Sequence, residues 1–394
     1  MPMVRADTPR YSKRSRRTDM SFSAEVLRND ERAVYDLRAL YRKYGYTPYK
    51  VGKFEEYDLY AHNKSFLVSE NVLTFTDTNG KLMALKPDVT LSIIKNISAD
   101  GRSTAKLYYD ENVYRTSAES NGFKEIMQTG VECIGYIDVL SQSEVIMLAA
   151  RSLEGISSEY RLDVSHMGLV EGLIDATDAD MPVKDALRGF IKSKNTAEIK
   201  RLAESGAICG DMAETICILT ETYVTLAEAL ELVCSSAKNT KMSDAAKELS
   251  DVCNAMKAYG LGERIYFDFS VVNDRNYYDG VIFKGFINGI PEGVLSGGRY
   301  DKLIVKMGKS FGAIGFAVYL DRLERFGTSP DEYDTDILLV YGDGADANAV
   351  IGAVAELTAK GYRVRTATDG QTSVRYRQLI KLDGEGAEGL EAND

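Results

Sequence analysis

The sequence predicts an α+β fold: an antiparallel sheet with helices against it, interrupted by a helical insert and followed by a small α/β unit. Three observations carry this. KLYYDENVYR (106–115) and EIMQTGVECIGY (125–136) alternate apolar and polar residues with the two-residue period of antiparallel strands. From about 178 to 262 the chain changes to Ala, Leu, Glu and Lys at helical spacing and closes on Gly-Leu-Gly at 260–262. After about 334 the order becomes DILLVYG (336–342), a helix near 345–360, then Gly361 and YRVRT, a β-α-β start.

The elements follow in order. A helix capped by Asp30 carries the stripe Val34, Leu37, Leu40, Tyr41 and Tyr44 and stops at Gly45. VLTFTD (72–77) and KLMALKPD (81–88) flank Thr78-Asn79-Gly80, and Asn-Gly between apolar segments signals a hairpin. After the two long strands, Ser141 and Glu144 form a capping-box pattern ahead of the helical VIMLAARSL (145–153). Beyond the insert, Ile265, Phe267, Phe269 and Val271 alternate with Tyr266, Asp268 and Ser270 as a strand. GVLSGGRYD (293–301) reads as a turn, and AIGFAVYLDRLERF (313–326) as a strand running into a helix. The expected organisation is a basic disordered arm over 1–22, a main domain over 23–328, an α/β unit over 334–382 and an acidic, Gly-rich disordered tail over 383–394.

Composition narrows the function. With 48 Lys and Arg against 59 Asp and Glu, the net charge of −11 argues against a chain dedicated to nucleic acid. No apolar run reaches the ~20 residues that span a bilayer, and the basic N-terminus lacks the apolar core of a secretory signal. Cys133, Cys209, Cys217, Cys234 and Cys253 form no CxxC pair and read as buried small residues in a reducing cytoplasm. With only His62 and His166, neither a histidine-ligated metal nor a Ser-His or Cys-His catalytic pair is expected. No Gly-rich phosphate loop of the P-loop or Rossmann type follows a strand.

Several segments carry polar groups in patterns of two meanings. LKPDVT (85–90) is either a strand end with a proline break or an extended segment whose Asp88 and Thr90 share a face and hold a ligand's ammonium. In YRTSAESNGFKEIMQTGVE (114–132), Arg115 leaves one strand while Gln128 and Glu132 share parity on the next; a solvated hairpin gives the same pattern. Arg322 is either a surface arginine or a fork for phosphate or carboxylate. In VNDRNYYDGVIF (272–283), Tyr277 and Tyr278 point to opposite faces of an extended chain, so both are not core residues of one face.

The order of these motifs resembles the catalytic domain of histidyl-tRNA synthetase over about residues 25–326. GYTPYKVGKFE (45–55), with Gly52 where a proline is expected, resembles motif 1 of the class II aminoacyl-tRNA synthetases, YR…GVE motif 2 and GFAVYLDRL motif 3. The departures are specific. Asn273 stands where the synthetases place an arginine that stabilises charge at the α-phosphate, and an amide does not supply that charge. Gly122-Phe123-Lys124-Glu125-Ile126 is shorter than the family's motif 2 loop and lacks its arginine. The last unit resembles only the beginning of an anticodon-binding domain.

With VNDRNYYDGVIF followed by LSGGRYD, the chain resembles the synthetase-like regulatory subunits of ATP phosphoribosyltransferase, the first enzyme of histidine biosynthesis. That resemblance implies no activity alone, a short catalytic subunit as partner, L-histidine as effector, and a dimer within a hetero-oligomer. It implies no cofactor, tRNA or membrane. It also implies that Asp88, Glu132 and Thr90 hold the effector's ammonium, that Arg115 and Gln128 reach its carboxylate side, and that Tyr277 and Tyr278 flank its imidazole. Arg115 and Arg322 would be remnants of a nucleotide site. The alternatives are a histidyl-tRNA synthetase or a synthetase paralogue with another partner.

Overall fold

The structure is a computed structural model that describes residues 27–67, 71–97, 104–116, 122–272, 277–323, 333–368, 373–383 and 386–392. The expected arm over 1–22 lies outside the described residues, as does Asn273. The chain divides into two units, Met1–Phe326 and Gly327–Asp394.

The first unit begins with α1 (Asn29–Lys43), β1 (Thr47–Pro48), β2 (Phe54–Glu56), α2 (Tyr57–Ala61), β3 (Thr74–Thr76) and β4 (Leu82–Leu85). Next come α3 (Thr90–Asn96), the long strands β5 (Ala105–Thr116) and β6 (Phe123–Gly135), α4 (Val139–Ile156), β7 (Tyr160–His166) and α5 (Met167–Asp175). Helices α6 (Met181–Lys192), α7 (Thr196–Glu204) and α8 (Gly210–Glu221) lead to a short β8 (Tyr223–Thr225). The unit continues with α9 (Leu226–Ser235), α10 (Thr240–Ala258), β9 (Ile265–Asp268), β10 (Val281–Ile287), β11 (Leu295–Arg299), α11 (Asp301–Lys306) and β12 (Gly312–Tyr319).

Nine strands form one sheet in the order β1-β5-β6-β12-β11-β10-β7-β9-β8, antiparallel except for the β1–β5 and β7–β9 pairs. A separate sheet, β2-β4-β3, contains the Asn-Gly hairpin, where Asp77 Oδ1 accepts the N–H groups of Asn79 and Lys81 at 2.8 Å. The central strands are buried on both sides. Tyr108, Val131 and Cys133 join one core with α1 and α4, while Tyr109, Val113 and Ile134 join a second with α3 and α11. Alternation along β6 therefore sets Gln128 and Glu132 on the face of the second core.

Several local expectations are corrected. The first helix starts at Asn29 after Arg28, and Asp30 sits in its first turn, paired with Arg28 at 3.0 Å. Asp138, rather than Ser141, caps α4, because its carboxylate accepts the Ser141 N–H at 2.8 Å; Glu144 instead meets Lys106 at 2.7 Å. GVLSGGRYD is not a turn: Leu295–Arg299 is a strand between β10 and β12, where small residues admit the rings of its neighbours. Cys209 and Cys234 are exposed, Cys209 preceding α8 and Cys234 on an outer position of α9; the other three cysteines are buried. Among the described residues no helix is long and apolar enough to cross a membrane.

The second unit runs β13 (Thr335–Tyr341), α12 (Ala347–Ala359), β14 (Val364–Ala367), β15 (Tyr376–Asp383) and β16 (Gly386–Ala392). The first three strands in the order β14-β13-β15 are parallel, and β16 pairs antiparallel with β15. The acidic tail expected to be disordered thus contributes a strand over Gly386–Ala392. Backbone pairing along the β15 edge needs no apolar side chains, which is why composition gave no sign of it.

Candidate ligand-binding site

One cavity of about 390 Å³ brings together Asp88, Thr90, Arg115, Gln128, Glu132, Tyr277, Tyr278 and Arg322. Residues separated by more than two hundred positions meet because β6, β12, β11 and β10 are neighbours in the sheet and α3 packs over the same face. The volume suits a small ligand of amino-acid or nucleoside size.

LKPDVT follows the strand-end reading rather than the extended one, with β4 stopping at Leu85 ahead of Pro87. Val89 is already helical in backbone angles and α3 begins at Thr90, because the Asp88 carboxylate accepts the Leu91 N–H at 2.9 Å. The turn aims Thr90 at β6, where its hydroxyl donates to Glu132 Oε1 at 2.7 Å. The Tyr300 hydroxyl donates to the other oxygen, Oε2. Among the described residues no lysine or arginine pairs with Glu132, which is 2 % exposed. Burial pushes its carboxyl up to about 8, against the lowering effect of the two hydroxyls. Burial also raises Asp88, and neighbouring Arg115 lowers it. Two carboxyl groups thus face one cavity, and of the two only Asp88 feels a neighbouring cation, Arg115.

The remaining walls are aromatic. Tyr277 stands edge-on to Tyr278, with ring centres 4.8 Å apart, and lies 5.7 Å from Tyr300 and 6.4 Å from Phe66. Burial raises the phenols of Tyr109, Tyr277, Tyr278 and Tyr300 well above their ordinary range, so they remain neutral hydroxyl tips. Two glycines make room. A Cβ at Gly298 would sit 2.7 Å from both a Tyr278 ring carbon and the Val281 carbonyl, and one at Gly315 would collide with the Glu132 carboxylate.

The polar residues differ in how far they are engaged. The Gln128 side-chain N–H₂ group is buried and finds no partner among the described residues. Arg115 donates through Nε to the Pro87 carbonyl at 2.9 Å. Arg322 is held by the Gly293 carbonyl and by Glu292 at 2.9 Å, and its guanidinium covers the Tyr319 ring at 4.6 Å. Tyr300 and Tyr109 were missing from the sequence-derived set. The GGRYD motif contained Tyr300, but only the pairing of β11 with β12 carries it to Glu132. The strand parity that selected Gln128 and Glu132 also points to Tyr109, which lies opposite Gly130. Among the described residues no group of three or more His, Cys, Asp or Glu is placed to hold a metal ion.

An antiparallel sheet carrying this pocket on one face and interrupted by a helical insert defines a histidyl-tRNA synthetase-like domain of class II synthetase fold. The histidyl-tRNA synthetase family model matches residues 22–323. The ATP phosphoribosyltransferase regulatory subunit of Clostridium kluyveri is 30% identical over 342 residues, 82% of this chain and 87% of that protein. The chain belongs to the family of ATP phosphoribosyltransferase regulatory subunits. Solved structures agree on the fold. An ATP phosphoribosyltransferase regulatory subunit/histidyl-tRNA synthetase from Bacillus halodurans C superposes with a TM-score of 0.73 at 24% identity, covering 90% of this chain and 93% of that one. A chain of the ATP phosphoribosyl transferase (HisG:HisZ) complex from Thermotoga maritima gives 0.59 at 19%, covering 74% and 97%.

Proposed function

We propose that this chain is a histidine sensor without catalytic activity of its own. It supports a short catalytic subunit that joins ATP to phosphoribosyl pyrophosphate, and it carries that enzyme's inhibition by L-histidine. The observation that carries the reading is Glu132: a buried carboxyl, satisfied among the described residues only by hydroxyls, in a tyrosine-walled cavity that also contains Asp88. Histidine supplies a cationic ammonium for the carboxylates and a flat ring with polar edges for the tyrosines. Arg115 and the free donors of Gln128 suit its carboxylate. Asn273, in place of an activating arginine, supports recognition without adenylation.

A ligand shifts an assembly only through unequal affinity for its states, by about 1–3 kcal/mol of coupling in typical systems. Histidine would therefore bind more tightly to the inhibited arrangement of the complex. The test is Glu132→Gln in the complex reconstituted with a short catalytic subunit. The histidine concentration for half-inhibition should rise at least about tenfold, since a hydrogen bond to a charged group contributes roughly 1.5–3 kcal/mol. Unchanged inhibition would remove Glu132 from the sensor. The isolated chain should also show no histidine-dependent ATP–pyrophosphate exchange, and robust exchange would restore a synthetase reading.

A further inference from the structure

A second, larger cleft of about 760 Å³ lies on the same sheet toward its β8 edge and shares no lining residue with the pocket above. Strand register builds it. Arg161 lies opposite Phe286, Asp163 opposite Tyr266, and Tyr223 opposite Asp268, so alternation puts Arg161, Phe286, Tyr266 and Tyr223 on one face. Tyr223 and Tyr266 stack at 5.3 Å and 15°. The Arg161 guanidinium covers the rings of Phe286 at 4.9 Å and Tyr223 at 5.7 Å, and Arg264 covers Tyr160 at 5.3 Å.

The two arginines are oriented but not used. Among the described residues Arg264 makes no side-chain hydrogen bond or ion pair, and Arg161 has only a long 3.7 Å approach to Asp163. Three nearby acids are engaged elsewhere, while Glu263, next to Arg264, also lines the cleft. Glu159 accepts from Asn288 at 2.5 Å, Asp163 accepts from the Tyr223 hydroxyl at 3.0 Å, and Asp268 pairs with Lys194 at 3.0 Å. A guanidinium stacked on a ring keeps its hydrogen-bonding edge free, in the planar fork that matches an oxyanion.

We propose that this cleft is a second ligand site, for a small phosphorylated molecule that also carries a flat ring, a compound of nucleotide size. Its phosphate binds to Arg161 and Arg264, and its ring lies against the aromatic wall of Tyr223, Tyr266 and Phe286. The cleft volume falls within the range of small-molecule sites. The proposal does not depend on histidine binding in the other cavity.

The test is calorimetric titration of the full chain with GMP, guanosine and inorganic pyrophosphate. GMP should bind, guanosine more weakly, and pyrophosphate should compete with GMP. Arg161→Ala with Arg264→Ala should weaken GMP at least about tenfold, the loss of charge-assisted hydrogen bonds. Arg264→Lys should give a smaller loss, since it keeps charge but not the fork. Circular dichroism and an unchanged thermal unfolding midpoint on the same variants report that they are folded. Absence of GMP binding, binding undiminished in the double variant, or binding lost in Arg322→Ala instead would overturn the proposal, the last by placing the nucleotide in the other cavity.

Discussion

Two carboxylates on one hairpin, Glu111 half-buried and Glu132 buried, have opposite surroundings. Glu111, on β5, lies 2.5 Å from Lys86 Nζ and accepts the Val51 N–H at 3.0 Å, and Lys86 is 1 % exposed. Glu132, on β6, meets only the hydroxyls of Thr90 and Tyr300 among the described residues. The first is a closed ion pair whose charges cancel inside the fold. The second is a buried acid with no cation beside it among the described residues, the charge that the proposed ligand would supply. Polarity alone does not separate structure from site here; compensation of charge does.

Breaking the closed pair should have the largest effect. Lys86→Met leaves the half-buried Glu111 with the Val51 N–H but without its cation and should cost about 2–4 kcal/mol of folding stability in urea denaturation. A loss below about 1 kcal/mol would erase the contrast with Glu132. Glu132→Gln should do the reverse, sparing the fold and impairing the ligand. Because burial raises this carboxyl in the folded chain, its contribution to stability is full below about pH 4 and declines as pH rises toward about 8. An amide titrates nowhere in that window, so at pH 8 the variant should match or exceed the parent in stability. Lower stability at pH 8 would mean that Glu132 is structural.

Two smaller changes sharpen the comparison. Gly298→Ala puts a methyl group 2.7 Å from the Tyr278 ring and from the Val281 carbonyl. Overpacking of this kind costs about 1–3 kcal/mol, and histidine affinity should fall with it if Tyr278 is displaced. Lys81→Ala removes an exposed pair with Glu56, 2.8 Å apart, on the small sheet. It should leave the urea midpoint and the ligand affinity unaltered, because water and salt screen an exposed pair.

Much of this was legible in the sequence because it is local. Alternation gave β5 and β6, Asn-Gly gave the β3–β4 hairpin, and the parity of Gln128 and Glu132 gave one wall of the pocket. What pattern missed depends on neighbours distant in sequence. LSGGR is a strand only because β10 and β12 flank it, and Tyr300 reaches Glu132 only through that pairing. The Gly386–Ala392 strand depends on the β15 edge rather than on its own composition. The contrast between Glu111 and Glu132 was equally invisible, since both are glutamates in alternating strands and only the fold brings Lys86 to one of them.

The most direct measurement is calorimetry of L-histidine binding to the purified chain from pH 7 to 8, in two buffers of different ionisation enthalpy. Over that range free imidazole is largely neutral, with an ordinary value near 6.5, while Glu132 changes charge. An ammonium favours the ionised carboxylate, so at pH 7 binding should release a proton to the buffer. Affinity should strengthen toward pH 8 by less than about tenfold per pH unit, and both effects should vanish in Glu132→Gln. Tight binding with no proton release, equally strong in Glu132→Gln, would contradict the claim that Glu132 waits for the ligand's charge.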